Sequence, residues 1–309
     1  MIRIIVRFTL ILTLITGALT AFGCGSKSEE IEIDLSNRQP VTVNAVVESS
    51  DAVFRIAIAG VVSPTETLTS YSELIEYLGR GLHQEVEIVQ RSTYAETNDL
   101  VRSGYVDLAF VCSLAYVLGN DEFGMELLVV PEVAGATSYH SYIIVPTNSE
   151  IETIVDLRGK TFAFTDPLSN SGRLSPMYIL SQLGITPEDF FESYIFTYSH
   201  DNSIRAVAGG LVESAAVDSL VYDYIISKEP EIGVKTRIIN ISPPYGIPPV
   251  VTHPALDPEI KSRLRSLLLN LHQDEDGKAI LDSLKIDRFV LGDDTSYNLI
   301  RTMYDELGW

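Results

Sequence analysis

The chain has 309 residues, of which 46% are hydrophobic, enough to build one large domain or two smaller ones. It carries 22 Lys and Arg against 42 Asp and Glu, a formal net charge of −20, and no basic cluster, so a nucleic-acid binder built on a basic stripe is excluded. Its two cysteines, Cys24 and Cys112, stand at a processing site and in an expected strand, which argues against a disulfide. None of the five histidines has a metal-binding spacing such as His-Glu-x-x-His, and no metal or cofactor is expected.

Arg3 and Arg7 precede an uncharged, mostly apolar run from Phe8 to Gly23, the layout of a secretory signal peptide over residues 1–23. The run ends at Thr20-Ala21-Phe22-Gly23-Cys24, similar to a bacterial lipoprotein signal in which Cys24 is lipidated and becomes the new N-terminus. The competing reading is an uncleaved anchor, for which the run is short against a span of about 20 residues. Residues 24–51 are polar and acidic and read as the lipidated end and a tether, which puts the folded part outside the cytoplasm.

From there strand-like and helix-like segments alternate. Val53–Ala59 is a strand, Leu68–Leu82 a helix with Leu74, Ile75, Leu78 and Leu82 on one face, and Val86–Gln90 a strand. Tyr94–Ser103 is a helix ended by Gly104, and Val106–Val111 a buried parallel strand, followed by a loop over 112–116. Leu127–Val133 and Ser141–Val145 are further strands. The pattern restarts with strand Thr161–Thr165, helix Arg173–Leu183, strand Ile195–Tyr198, helix Ser203–Ala208, strand Ala215–Val217 and helix Leu220–Ser227. Lys235–Ile241 is a strand able to return to the first sheet. Helices Pro258–His272, Lys278–Leu284 and Ser296–Leu307 finish the chain. The order implies an α/β protein of two lobes, each a mainly parallel sheet flanked by helices: residues 52–145, then 146–237, then a return over 238–309. Ligands of such sheets bind at the carboxyl ends of the strands, here a cleft between the lobes, with the crossovers near 145–148 and 237–242 as hinges.

The segment after Thr165 carries the sharpest chemical signal. Ser169, Asn170, Ser171 and Gly172 stand where a helix begins, and Ser and Asn are strong N-cap residues. The unpaired N–H groups and positive dipole end of a helix start, ringed by small hydroxyl and amide side chains, can cradle an anion even in an acidic protein. The plain alternative is a helix cap with no further role.

Five stretches together carry a resemblance over about 54–307: Tyr94-Ala95-Glu96, Gly104 to Val111, Asp156 to Pro176, Tyr198 to Ser203, and Ala215 to Ser219. The chain resembles the phosphate/phosphite/phosphonate-binding family of ABC-importer substrate-binding proteins, which have a type II periplasmic-binding-protein fold. The resemblance implies capture of a small phosphorus oxyanion for a membrane permease and its ATPase subunit, by a monomer that does no chemistry on its ligand. It places Tyr94, Ser113 and Tyr116 on one wall of the cleft and Ser169, Asn170 and Ser171 in the anion cradle. His200, Asp201 and Asp218 are implied from the second lobe. Cys112-Ser113 stand where family members often have Gly-Pro, and Asn170 where threonine is commoner.

Each residue also has a plainer reading. Asp201 and Asp218 can be N-caps of the helices they precede, or a carboxyl can share a proton with a ligand oxygen and reject fully deprotonated anions. His200 can be neutral and bridge backbone groups, or cationic and assist an anion. Tyr94 and Tyr116 can be core aromatics. Tyr139, His140 and Tyr142 are weaker candidates, and a solvated Arg173 is expected. Two other functions stay open at this point: a sensory module for a signalling partner, and an extracytoplasmic enzyme using Cys112 or a His200/Asp201 pair.

Overall fold

The structure, a computed structural model, describes residues 53–309; the expected signal segment, Cys24 and the tether lie outside the described residues. The first lobe opens with β1 (Phe54–Ile58), α1 (Pro64–Leu82), β2 (Val86–Gln90), α2 (Tyr94–Arg102), β3 (Leu108–Phe110), α3 (Ser113–Phe123) and β4 (Glu126–Glu132). A short β5 (Ser138–Tyr139) leads into β6 (Ser141–Pro146). The second lobe continues with β7 (Thr161–Phe164), α4 (Ser175–Gln182), α5 (Pro187–Phe190), β8 (Ser193–Phe196), α6 (His200–Ala208), β9 (Ser214–Asp218), α7 (Ser219–Lys228), α8 (Pro230–Lys235) and β10 (Thr236–Ile241). The chain returns through β11 (Tyr245–Gly246), β12 (Val250–Thr252), α9 (Pro258–Asn270), α10 (Glu275–Leu284), β13 (Arg288–Val290) and α11 (Asn298–Glu306).

Two open sheets result, ordered β13-β4-β12-β3-β1-β2 and β10-β6-β9-β7-β8. In the first, β2, β1 and β3 are parallel neighbours, and β12 inserts antiparallel between β3 and β4. In the second, β8, β7 and β9 are parallel and β6 runs against β9. The helix face read from Leu74, Ile75, Leu78 and Leu82 is buried against the first sheet with Phe54, Ile56 and Ile58. A full-period apolar stripe on α1 has no other way to leave water.

Three features differ from the sequence reading. The strands expected at 141–145 and 235–241 both belong to the second sheet, where β6 pairs with β9 and β10. The sheet boundaries therefore fall near residues 140 and 242, and the expected return of the 235–241 strand to the first sheet is not seen. The crossovers are instead β5 and β11, which pair with each other as a two-stranded ribbon (Tyr245↔Tyr139). Two strands the sequence did not announce, β12 and β13, complete the first sheet; each is three residues long, too short for an alternation to register. Residues 113–123, read in part as a loop, form α3, whose left-handed C-cap is Gly124.

Candidate functional site

The site is built where parallel strands end. Thr93 caps α2 by accepting the Glu96 N–H, and the Glu96 carboxylate accepts the Thr93 N–H in return, a capping box that fixes Tyr94 as the first helical residue. In the second lobe, Ser169 Oγ accepts the Gly172 N–H at 2.9 Å, and the Ser169 carbonyl accepts from both Arg173 and Leu174. The turn over Asn170–Leu174 is of π width, wider than the ordinary helix start the sequence suggested, and α4 follows it. Such wide turns cluster at functional sites because they turn side chains that a regular helix would stack.

Gly172 permits this turn. A Cβ there would collide with Thr165 Oγ1 and Cβ and would lie 2.9 Å from Ser169 Oγ. Thr165 is itself fixed: its hydroxyl donates to the Ala216 carbonyl and lies 3.1 Å from His200 Nδ1.

Around this turn, hydroxyl and amide groups converge in a fully buried cluster. Tyr94, Tyr139, Ser169, Asn170, Ser171, His200 and Asp218 are each no more than 2% exposed. Asn170 Nδ2 donates to the Tyr139 hydroxyl at 2.9 Å, and the Ser113 hydroxyl lies beside it. Tyr94 Oη, Asn170 Oδ1 and Ser171 Oγ are buried with no hydrogen-bond partner among the described residues. Native structures seldom bury polar atoms without a partner, because each costs on the order of 1–3 kcal/mol. Three in one cluster, two of them hydroxyls able to donate, fit a guest rich in acceptor oxygens.

His200 is neutral. The Asp218 backbone N–H donates to its Nδ1 at 3.0 Å, so the ring proton sits on Nε2, on the side of Ser169 Oγ at 3.5 Å. Burial alone pushes its pKa down to about 3, which removes the cationic reading. Asp218 caps α7 by accepting from Leu220 at 2.7 Å and Val221 at 3.4 Å. Burial nevertheless lifts its pKa to about 7, the cap N–H groups opposing and the Asp223 charge adding to the rise.

The lobes are closed on one another. Asp166, at the end of β7, accepts the Tyr94 N–H across the cleft at 3.1 Å and the Leu168 N–H at 2.7 Å. Asp201 Oδ1 accepts the Ser63 N–H at 2.9 Å, the His200 N–H donates to Val61 O at 3.0 Å, and Ser70 Oγ meets the Tyr224 hydroxyl at 3.1 Å.

The structure thus brings together Tyr94, Ser169, Asn170, Ser171, His200 and Asp218 of the residues read from sequence. Three others are placed differently. Tyr116 turns to the C-terminal segment: its hydroxyl donates to Asp294 Oδ1 at 2.8 Å and its ring packs edge-on to Tyr297. An α3 residue three positions past the helix start faces the neighbouring helix rather than the cleft. Ser113 is buried beside the cluster, but its hydroxyl is committed to the Gly246 carbonyl at 2.7 Å. Asp201 joins the lobes through Ser63 rather than entering the donor cluster. Arg173 is half-buried rather than solvated, donating to Pro167 O and stacking on Trp309 at 4.0 Å, turned away from the hydroxyls. Tyr116→Phe should accordingly cost about 1 kcal/mol of stability and leave ligand affinity within roughly twofold; paired denaturant melts and binding titrations check this, and a tenfold affinity loss would return Tyr116 to the site.

The sequence does not single out Asp166 and Thr165, which border the cluster through Tyr94 and His200; both stand at the carboxyl end of an expected strand, the place where open α/β sheets bind ligands. Tyr139, a weaker candidate from the sequence, is buried in the same cluster, where its hydroxyl accepts from Asn170 Nδ2.

A family profile described as "ABC transporter, phosphonate, periplasmic substrate-binding protein" matches residues 56–297. The chain belongs to this family of periplasmic substrate-binding proteins. It is 31% identical over 209 residues, 64% of its length, to the phosphate-import protein PhnD of Mycolicibacterium smegmatis, and it spans 65% of the length of that relative. Its fold matches a binding-protein component of an ABC phosphonate transporter from Pseudomonas aeruginosa with TM-score 0.77 at 24% identity, covering 81% of this chain and 85% of that one. It likewise matches PhnD1 from Prochlorococcus marinus, solved in complex with methylphosphonate, with TM-score 0.75 at 22% identity over 83% and 98% of the two chains. These likenesses establish the two-lobed type II periplasmic-binding-protein fold. Among the described residues, no helix is long and apolar enough to cross a membrane.

Proposed function

We propose that the protein is the extracytoplasmic receptor of an ABC importer and captures a small phosphorus oxyanion (phosphonate, phosphite or phosphate) between its lobes for delivery to a permease and its ATPase. The observation that carries this is the buried set of partnerless polar atoms, Tyr94 Oη, Asn170 Oδ1 and Ser171 Oγ, around the glycine-dependent turn. A tetrahedral anion supplies acceptors for the Tyr94 and Ser171 hydroxyls, and a protonated oxygen on it supplies the donor that Asn170 Oδ1 lacks. Tyr94 and Ser171 give hydroxyl hydrogens, His200 Nε2–H and Asn170 Nδ2 lie alongside, and hydrogen bonds to a charged acceptor are about twice as strong as neutral ones. Protonated Asp218 gives one more; ionised Asp218 repels a fully deprotonated guest.

Further parts of the reading come from the sequence: a cleaved signal over 1–23, a lipid anchor on Cys24, a tether over 24–51, and action as a monomer. A receptor rather than an enzyme is favoured by Cys112, whose thiol burial pushes up to about 11, since a thiolate is what attacks.

Thermal melts with phosphate, phosphite, methylphosphonate, aminoethylphosphonate and sulfate test the proposal. A ligand that binds only the folded state raises Tm with its concentration, and at 100 times Kd adds about 2.7 kcal/mol. At least one phosphorus anion should shift Tm while sulfate does not, and Tyr94→Phe should weaken that ligand roughly tenfold or more. No shift with any phosphorus anion would reject the reading.

A further inference from the structure

Two helices from opposite lobes meet at their N-termini. In the first lobe α1 begins after Ser63, whose own side chain makes no cap hydrogen bond, and in the second lobe α6 begins at His200. The His200 N–H, left without a partner inside α6, donates to the Val61 carbonyl at 3.0 Å, and the Ser63 N–H donates to Asp201 Oδ1 at 2.9 Å. Each helix N-terminus carries a partial positive charge, so two brought together repel unless an anion stands between them. Asp201 supplies that anion. It lies in the first turn of α6, is 1% exposed, and bonds to the start of α1. From the other lobe it plays for α1 the part that Glu96 plays for Thr93 within α2. The chain enters α6 through Tyr198, whose φ of 59° is left-handed and uncommon for a residue other than glycine. Gly60 passes beside this turn, where an added Cβ would lie 3.5 Å from the Tyr198 carbonyl oxygen.

We infer that Asp201 is a closure latch, a positioning residue that sets how long a guest stays bound without touching it. The inference rests on the receptor reading above. Its carboxylate accepts the Ser63 N–H only when the lobes are together, because donor and acceptor belong to different lobes. A bond made only in the closed state slows reopening, and it does so by the same factor for every guest. Asp166 reaches across the cleft in the same way to the Tyr94 N–H at the start of α2, but it also accepts the Leu168 N–H ahead of the wide turn. Its removal would disturb the cradle itself, which makes Asp201 the separable member of the pair. The latch runs against simple electrostatics. Removing a carboxylate that faced an anionic guest would tighten binding, whereas removing the latch loosens it although a negative charge is lost.

Stopped-flow association and dissociation of the full chain with phosphate, phosphite and methylphosphonate is the test. Asp201→Ala should raise the dissociation rate roughly tenfold or more for each anion that binds, with the association rate within about twofold of wild type. Asp201→Asn keeps an acceptor oxygen without its charge and should raise the dissociation rate less, about threefold. Ser63→Pro deletes the donor from the other side, and Ser63 already holds φ at −57°, close to the proline value, so the backbone is kept. It should speed dissociation about as much as Asp201→Ala, and the double variant should be no worse than the worse of the two, because both remove one bond. A loss confined to the start of α6 would instead add to the effect of Ser63→Pro. If one variant fails to fold, the other carries the measurement. Tighter binding in Asp201→Ala, an unchanged dissociation rate, unequal effects among the anions that bind, or full additivity in the double variant would overturn the latch while wild-type binding kept the oxyanion reading intact. Failure of every anion to bind the wild type would overturn both.

Discussion

Gly172→Ala should lower the melting temperature by roughly 6–12 °C and abolish binding of any phosphorus anion. The added Cβ falls on Thr165 Oγ1 and Cβ and comes within 2.9 Å of Ser169 Oγ. Neither neighbour can yield cheaply. Thr165 and Ser169 are fully buried, Thr165 is held by the Ala216 carbonyl and His200, and Ser169 Oγ is the acceptor of the Gly172 N–H itself. Overpacking a filled interior costs about 1–3 kcal/mol, and loss of the cap hydrogen bond about 1 kcal/mol more. A sum near 3 kcal/mol shifts Tm by roughly 2–4 °C per kcal/mol in a domain of this size. Binding suffers more than stability, because the turn that moves carries Asn170 and Ser171. Differential scanning calorimetry and titration measure the two effects separately. A variant melting within 1 °C of wild type and binding normally would mean that the wide turn is not what shapes the site.

Asp218→Asn should make the protein more stable in mild alkali, contrary to the usual result of removing a helix cap. Burial raises the Asp218 pKa from 3.8 to about 7. Below about pH 4 the carboxyl is protonated in folded and unfolded chains alike, and its full contribution is present. Between pH 4 and 7 the folded protein keeps a proton that the unfolded chain has released, so stability falls as pH rises, by up to about 4 kcal/mol over the window. Asparagine stays neutral throughout and can still accept the Leu220 N–H. The variant should therefore gain roughly 2–4 kcal/mol over wild type at pH 8 and nothing at pH 4. Ligand affinity should follow the same titration. Wild type should lose affinity for a phosphorus anion above pH 7 relative to the variant, by about tenfold, as an ionised Asp218 comes to face the guest. Melting curves from pH 4 to 9 with and without ligand read both effects, and parallel curves for the two proteins would show that Asp218 is charged in the fold at neutral pH. His200, held neutral with a pKa near 3, adds no titration in that range.

Most of the fold was legible because its signals are local. The apolar stripe of α1, the Thr93–Glu96 capping box, the glycine after α2 and the apolar run of β3 each declare an element within a dozen residues. What failed to show was pairing. Whether β6 and β10 join the first or second sheet depends on partners 70 to 100 residues away, and nothing within either strand encodes that choice. β12 and β13 gain their identity only from β3 and β4 beside them.

The site divides along the same line. Its composition was local: Ser169, Asn170, Ser171 and Gly172 announce a polar helix start, and His200, Asp201 and Asp218 follow strand ends. Direction was not. Tyr94 and Tyr116 are both tyrosines near helix starts at strand ends, yet one hydroxyl is left inside the cluster and the other is claimed by Asp294, 178 residues further along the chain. Likewise Asp218 and Asp201 are both acids at helix starts, and only closure of the lobes assigns Asp201 to the Ser63 N–H.

By itself, then, the order of residues determined an acidic two-lobed α/β protein with a polar turn fit for an anion, since periodicity, capping and turn chemistry act over a few residues. Tertiary packing alone decided which side chains meet at that turn, and that its histidine is neutral and its aspartate protonable. Burial and hydrogen bonding are properties of what surrounds a group, and here those surroundings are assembled from segments far apart in the chain.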